Sequence, residues 1–234
     1  MSEYEKLLEI YKKSAILESI SEVLEWDHEV MMPEGALPIR ARQSSTLAAL
    51  GHDILTCDEI RGLLVALEKG NFNSDQAANI REIKRASERA KNVPNELVQE
   101  LEDTRIKGVE AWKEARKKND YTLFSSHLGK VFVLSRKVAE YIDPNTHPYE
   151  VLLEEYEQDI SIEEIRNHLN KIKEHLVPLI AKIKDREIDD SLLIKDVALE
   201  KQSKFNNYIA KAIGYDFSKG RLDVSAHPFT ACYG

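Results

Sequence analysis

The sequence is poor in three features that define other classes of protein: cysteine, chain-breaking residues and long apolar runs. Its 234 residues include two cysteines, Cys57 and Cys232, which form neither a disulfide framework nor a cysteine-rich zinc site. No apolar run approaches the roughly 18 residues of a membrane span. The first residues also lack the basic and apolar stretches of a secretory signal. We therefore expect a cytoplasmic protein without a membrane partner.

Glycine and proline are scarce as well, with nine and seven residues, below their usual shares of about 7% and 5%. Charged residues make up 32% of the chain and apolar residues 42%, a composition that favours a folded, mostly helical protein over a disordered one. The formal net charge of −8 creates a field that repels phosphate backbones and anionic lipids. We expect no nucleic-acid partner.

Apolar residues recur at helical spacing along most of the chain, and turn residues separate the periodic segments. The predicted helices cover about residues 3–30, 38–55, 58–69, 74–91, 94–118, 121–142, 149–156, 161–183 and 197–213. Ser2 with Glu5 and Ser161 with Glu164 have the form of capping boxes, which start the first and the eighth helix. We expect Asp58 to cap the third helix and Gly70 to end it.

The helix that begins after Ser161 has the clearest periodicity. Its apolar seam consists of Ile162, Ile165, Leu169, Ile172, Leu176, Leu179 and Ile183. Alternating intervals of three and four residues form a heptad pattern, which predicts packing in an antiparallel hairpin or bundle. Pro178 within this helix is expected to bend it.

Residues 221–230 differ from the rest because apolar and polar residues alternate there and Pro228 cannot donate to a ladder. We interpret them as an extended segment or edge strand. The predicted fold class is therefore all-α: a multi-helix array of long antiparallel helices with one terminal extended or edge strand. Residues 1–234 form one helical region, with a candidate sub-boundary near residues 143–148.

Histidines offer two candidate metal sites. His168 and His175 lie seven residues apart on one helix, too far apart for one ion, so we interpret them as partly exposed residues beside the seam. Glu25 and His28 form a Glu-x-x-His step of the kind that di-iron bundles use. No second step exists, and the alternative is that Trp26 packs inside while residues 27–29 satisfy the end of the helix.

A basic stripe occurs at Arg81, Arg85 and Arg89, which lie one helical turn apart. A phosphate-binding face is one interpretation. Glu82 and Glu88 interleave with the stripe, and no aromatic residues lie beside it to stack bases. We favour a solvated face or an intramolecular salt-bridge partner. Gly-rich phosphate loops and Gly-x-Ser-x-Gly elbows are absent from the sequence.

Five segments carry more information than periodicity. Residues 24–36 read Leu-Glu-Trp-Asp-His-Glu-Val-Met-Met-Pro-Glu-Gly-Ala, and residues 40–43 read Arg-Ala-Arg-Gln. Residues 111–116 read Ala-Trp-Lys-Glu-Ala-Arg, and residues 147–157 begin His-Pro-Tyr-Glu. Residues 220–230 read Gly-Arg-Leu-Asp-Val-Ser-Ala-His-Pro-Phe-Thr. In this order they resemble the carboxypeptidase Taq family of zinc metallocarboxypeptidases, over its amino-terminal portion.

The resemblance implies a zinc- or cobalt-dependent hydrolase that releases carboxy-terminal amino acids from peptides. It also implies an almost wholly helical fold around a groove, commonly as a homodimer. In the family, a His-Glu-x-x-His helix and a later glutamate hold the metal, downstream of the His-Pro-Phe motif. None of these later motifs occurs in the 234 residues. We therefore expect the amino-terminal half of such an enzyme, inactive alone, with no catalytic residue, no metal ligand and no bound cofactor.

The His-Pro-Phe segment borders the groove in the family, so the resemblance makes His227 and Phe229 the candidate groove residues. Ordering of the backbone is the other interpretation of His227. The expected partners are a peptide substrate in the complete enzyme and either the missing catalytic half or a second copy. Apolar faces that such a partner covers should be exposed in this chain. The alternative function is a non-catalytic helical association module that pairs with a separately encoded catalytic half or with itself.

Overall fold

A computed structural model describes residues 1–186, 189–191 and 193–230. The helices are α1 (Glu3–Val30), α2 (Leu37–Thr56), α3 (Asp58–Leu67), α4 (Ser74–Ala90), α5 (Asn95–Lys118), α6 (Thr122–Ile142), α7 (Pro148–Leu153), α8 (Ile162–Ile183) and α9 (Leu199–Ala212). A 3₁₀ turn at Glu34–Ala36 precedes α2. The predicted all-α fold is confirmed, and the predicted helices agree with the observed ones to within about three residues at each end.

Local capping chemistry explains where several helices begin. Both predicted capping boxes form, Ser2 with Glu5 before α1 and Ser161 with Glu164 before α8. A third box, which the sequence interpretation missed, joins Asn73 to Gln76 before α4. In each box the side chains satisfy backbone N–H groups that have no intrahelical partner.

The predicted cap of α3 is wrong. Cys57 occupies the N-cap position with an extended backbone and no side-chain capping bond, and Asp58 lies in the first turn. An acidic residue in the first turn is still favourable, because it interacts with the positive end of the helix dipole. Gly70 lies beyond the helix, and its N–H donates to the carbonyl of Leu67, the last helical residue.

The described residues divide into two compact units, and the first comprises residues 1–158 together with the segment from Ser225. In this unit α2 packs against α1 and α5, and α5 packs against α6. One core cluster forms where α1, α3 and α4 meet and contains Leu7, Ile60 and Ile83, each at most 2% exposed. A second cluster forms between α5 and α6 around Leu97 and Leu134. The sub-boundary near residues 143–148 lies within this unit and stays a prediction.

The turn between α5 and α6 depends on a left-handed residue. Asn119 has φ 51°, a conformation that asparagine tolerates better than most residues. It allows the Asp120 N–H to reach back to the Ala115 carbonyl oxygen at 2.8 Å. The Asp120 carboxylate in turn accepts from the Thr122 N–H at 2.9 Å. The short connection makes α5 and α6 antiparallel neighbours.

The second unit comprises residues 159–224 and contains α8 and α9. Neither helix has a buried residue. The heptad seam of α8 is exposed, with Leu169, Ile172 and Leu179 each more than half accessible. The expectation that this seam packs against a neighbouring helix is not met in the described part of the chain. The expectation that apolar faces are exposed is confirmed.

The terminal segment is extended without forming a strand. Residues 221–230 are neither helical nor paired in a ladder, so the edge strand is not formed among the described residues. A strand needs a partner for its backbone groups, and no partner strand occurs in the described ranges. Cys57 is a free thiol, whereas Cys232 lies outside them. Among the helices of the described residues, none is both long and apolar enough to cross a bilayer.

Truncation of Ile60 tests the core between α1, α3 and α4. The Ile60→Ala variant is expected to lose about 2–5 kcal/mol of unfolding free energy, because it leaves a cavity at a fully buried site. The matched control is Ile16→Ala on α1, where the side chain is 61% exposed. Urea denaturation followed by far-ultraviolet circular dichroism measures both. Equal losses in the two variants would contradict the core assignment.

Candidate functional site

The His-Pro-Phe segment, residues 225–230, lies against the carboxyl-terminal part of α5. Arg116 Nη1 donates a hydrogen bond to the Ala226 carbonyl oxygen at 2.7 Å. The Trp112 indole contacts the His227 imidazole edge-on, with centroids 5.8 Å apart and planes at 72°. The Arg116 guanidinium carbon lies 5.4 Å from the Trp112 ring centroid, within cation–π range. These contacts join residues about 110 positions apart in the sequence.

Local bonds fix the His227 ring. Its Nδ1 lies 2.8 Å from the Pro228 carbonyl oxygen, which can only accept, so Nδ1 carries the proton and Nε2 of the neutral ring is an acceptor. Ser225 Oγ donates to the His227 carbonyl oxygen at 2.6 Å. His227 is exposed, and Phe229 is 38% exposed. The ring therefore orders its own backbone and still presents Nε2.

A buried polar cluster joins the end of α1 to α5. His28 is 4% exposed, and its Nε2 lies 2.8 Å from Glu110 Oε1. Lys113 Nζ lies 2.8 Å from Glu110 Oε1 and 3.4 Å from Glu29 Oε2. Burial is the main cause that lowers the pKa of His28, Lys113 lowers it further, and Glu110 acts in the opposite direction. His28 and Glu29 thus have structural partners, but these lie on α5 and not at the end of α1, where the sequence interpretation placed them.

Asp27 completes this junction on the side of α2. Arg40 of α2 donates one hydrogen bond to the Asp27 carboxylate and another to the Leu24 carbonyl oxygen. The Arg40 side chain is 11% exposed, so its charge lies in a partly desolvated position where a missing partner is costly. Trp26, predicted to pack inside, is half-buried.

No metal site is assembled from these residues. The Glu25 side chain is exposed and His28 is bonded to Glu110, so the Glu-x-x-His step does not act as a ligand pair. His168 and His175 are exposed on α8. Within residues 1–186, 189–191 and 193–230, no three His, Cys, Asp or Glu side chains come together as ligands would. The residues present do not fit a metal, and we assign none as a ligand.

The basic stripe of α4 binds the end of α7. Arg85 Nη2 donates to the Glu154 carbonyl oxygen at 3.2 Å, and Arg89 Nη2 donates to the Val151 carbonyl oxygen at 3.0 Å. Arg89 also pairs with the Glu155 carboxylate at 3.3 Å. Cations are favourable at the carboxyl-terminal end of a helix, where carbonyl groups have no intrahelical donor. The interpretation as an intramolecular partner is confirmed.

A cleft of ≈ 590 Å³ lies beside this stripe, between α2, α4, α5 and α6. Its wall includes the apolar side chains of Val93, Leu101 and Val138. Glu102 projects from α5 into the same wall. Burial raises the pKa of Glu102, and Arg105 opposes the shift. The cleft therefore holds a carboxyl group whose ionised form is disfavoured.

Sequence interpretation missed the residues of α5 that make these contacts. Trp112, Lys113 and Arg116 lie in the segment 111–116 that carries the family resemblance, but nothing in that segment indicated which residues they contact. Glu110 precedes the segment and carried no motif. Periodicity identifies the face of a helix on which a residue lies, whereas their partners, His28 and Ala226, are more than 80 residues away. Only coupled variation between such positions could have indicated these pairs.

Comparison with known proteins gives a consistent result. Residues 6–234 match the sequence model of a family described as carboxypeptidase Taq (M32) metallopeptidase. Thermostable carboxypeptidase 1 of Thermus thermophilus is 32% identical over an alignment of 246 residues, gaps included. The alignment covers 99% of this chain and 48% of the relative. Thermostable carboxypeptidase 1 of Pyrococcus furiosus is 29% identical and covers 98% and 47%. The chain spans about half the length of the curated relatives it matches.

Solved structures agree in fold. The Pyrococcus furiosus carboxypeptidase structure matches with a TM-score of 0.82 and 29% identity, over 100% of this chain and 48% of that chain. The M32 carboxypeptidase from Deinococcus radiodurans R1 matches with a TM-score of 0.81 and the same coverage. A crystal structure described as BsuCP reaches 0.94 at 24% identity, which shows the fold alone.

Replacement of His28 tests the buried cluster through pH. The folded pKa of His28 lies below its ordinary 6.5, so as pH falls the unfolded chain takes up the proton first and folding stability decreases. The contribution of His28 to the free energy of unfolding is present above the unfolded pKa of 6.5 and is lost as pH falls through the lower folded pKa. His28→Gln keeps a donor to Glu110 but cannot titrate. Urea denaturation at pH values from about 7.5 to 5.5 should show a smaller decrease in His28→Gln than in the wild type. Parallel curves would contradict the burial of this ring.

Replacement of Glu102 tests the cleft. Its folded pKa is raised, so its contribution to stability is present below the unfolded pKa and is lost as pH rises through the folded pKa. Glu102→Gln, which stays neutral, is therefore expected to unfold at a higher urea concentration near neutral pH. Glu100→Gln on the same helix is the control, because it only breaks the exposed pair with Lys130, worth about 0–1 kcal/mol. A loss of stability in Glu102→Gln would show that the carboxylate has an unrecognised partner.

Proposed function

Since the chain belongs to the carboxypeptidase Taq (M32) family of metallopeptidases, we propose that its residues form the amino-terminal, non-catalytic part of a metal-dependent carboxypeptidase. The reaction of the whole enzyme is the release of carboxy-terminal amino acids from peptides. The observation that carries the proposal is the match of 99% of the chain to 48% of a thermostable carboxypeptidase.

The role of these residues in the enzyme is structural. They supply helices that wall a substrate groove, with His227 and Phe229 at its border, and the metal is zinc or cobalt held by residues outside the 234. Two observations support this division. The sequence contains no His-Glu-x-x-His motif, and the described residues bring no three potential ligands together. The cytoplasm is the proposed location, because the chain has only two cysteines.

A second candidate function is a helical association module, which acts by pairing with a separately encoded catalytic half or with another copy. The exposed seam of α8 favours it. Leu169, Ile172 and Leu176 are 59%, 56% and 46% exposed and share one helix face. Contiguous apolar surface of this kind marks interaction sites in soluble proteins.

An activity assay tests the first proposal. The purified chain, supplied with zinc or cobalt and an N-blocked dipeptide, is expected to release no terminal amino acid above the rate in buffer. The same chain mixed with the separately produced carboxy-terminal half of Pyrococcus furiosus carboxypeptidase is expected to restore release that a chelator abolishes. That half assayed alone is the control. Release by the chain alone would overturn the assignment of these residues as non-catalytic.

A charged substitution tests whether the apolar seam of α8 mediates association. Ile172→Glu is expected to reduce association of the chain, with itself or with the carboxy-terminal half, because it places a carboxylate in an apolar contact. Asn170→Glu adds the same charge to α8 away from the seam and is the matched control. Size-exclusion chromatography with light scattering measures both variants over a range of concentrations. Equal behaviour of the two variants would contradict association through the seam.

A further inference from the structure

Trp112 and Arg116 form one contact surface on α5. They lie four residues apart, so their side chains are neighbours on the same helix face. Arg116 packs on the Trp112 ring and at the same time donates its hydrogen bond to Ala226. The Trp112 indole also makes an edge-type ring contact with His227. One arginine and one tryptophan thus contact two consecutive residues of the His-Pro-Phe segment.

The segment has few other attachments. Among residues 225–230, the other hydrogen bonds within the described part of the chain are local, from Ser225 to the His227 carbonyl oxygen and from the His227 ring to the Pro228 carbonyl oxygen. No ladder pairs with residues 221–230 in the described part of the chain. Within the described residues, Trp112 and Arg116 therefore make the hydrogen-bond and ring contacts that join residues 225–230 to a helix.

We propose that Trp112 and Arg116 are positioning residues that hold the His-Pro-Phe segment on α5 and fix the direction of the His227 ring. The guanidinium supplies a charge-assisted bond to the backbone, and the indole supplies a rigid surface for the imidazole edge. Nδ1 stays bonded to the Pro228 carbonyl oxygen, and Nε2 is presented as an acceptor. That the segment is a wall of a peptide groove rests on the proposed function, whereas the attachment itself does not.

The alternative is that Arg116 acts only within its own helix. It lies in the last turn of α5 beside Lys117 and Lys118, where a cation is stabilised by the helix dipole. Under this alternative, removal of Arg116 changes the stability of α5 but leaves the His227 ring beside Trp112. The two cases differ in whether the His227 ring stays in contact with the Trp112 indole when Arg116 is removed.

Trp112 fluorescence distinguishes them, because a protonated imidazole in contact with an indole quenches its emission. Trp26 is the other tryptophan, and Trp26→Phe leaves Trp112 as the only indole. Where Trp26→Phe does not fold, the difference in emission between the wild type and His227→Gln isolates the same signal. In either background, emission is expected to be lower in acidic buffer than in neutral buffer. His227→Gln is expected to abolish the decrease.

Arg116→Ala is expected to lose most of this pH-dependent quenching, because loss of a charge-assisted hydrogen bond lowers the equilibrium constant for docking of the segment about tenfold or more. Arg116→Lys keeps the charge without the planar group and should retain part of it. Lys117→Ala removes the same charge from the next residue and should retain all of it. Circular dichroism checks that the helical content of the three variants is equal.

Full quenching in Arg116→Ala, or quenching that survives in His227→Gln, would overturn the proposal. Failure of the peptide-release assay would remove the groove role of the segment but leave the fluorescence result intact. Loss of quenching only in the His227 and Arg116 variants supports the positioning role whatever the outcome of that assay.

Discussion

The arrangement of the first unit depends on α5, a helix of 24 residues that contacts both the end of α1 and the His-Pro-Phe segment. Its packing against α2 and α6 fixes its axis. Side chains at intervals of three and four residues then reach different parts of the chain: Glu110 and Lys113 bind the end of α1, and Trp112 and Arg116 bind the His-Pro-Phe segment. A rigid helix therefore sets the distance between two segments that are about 200 residues apart.

The cost of buried charge explains why the cluster on α5 is composed as it is. His28 is buried and its pKa is lowered, so the neutral ring is favoured, and Glu110 and Lys113 pair with each other beside it. A buried ion that lost its partner would cost several kcal/mol. Glu29 and Arg40 extend the pairing to the surrounding helices. His28 of the Glu-x-x-His step thus has a structural role in this fold.

The second unit differs from the first because its helices, α8 and α9, contain no buried residue. The seam of α8 is as regular as that of a packed bundle helix, yet its residues from Leu169 to Ile183 are exposed. Capping and propensity are local effects, so the helix forms where the sequence predicts it. Burial needs a second surface, and the described residues do not supply one. The association proposed above uses this exposed face.

The sequence by itself determined the all-α class, nearly all helix boundaries, two of the three capping boxes and the family, because these depend on spacing and on local hydrogen bonds. It also indicated His227 and Phe229 as the residues of interest. Only the tertiary structure decided that Arg85 and Arg89 bind the end of α7, that His28 pairs with Glu110, and that Arg116 reaches Ala226. Such pairings join residues far apart in the chain, and helical periodicity identifies the face on which each lies but not the residue that it meets.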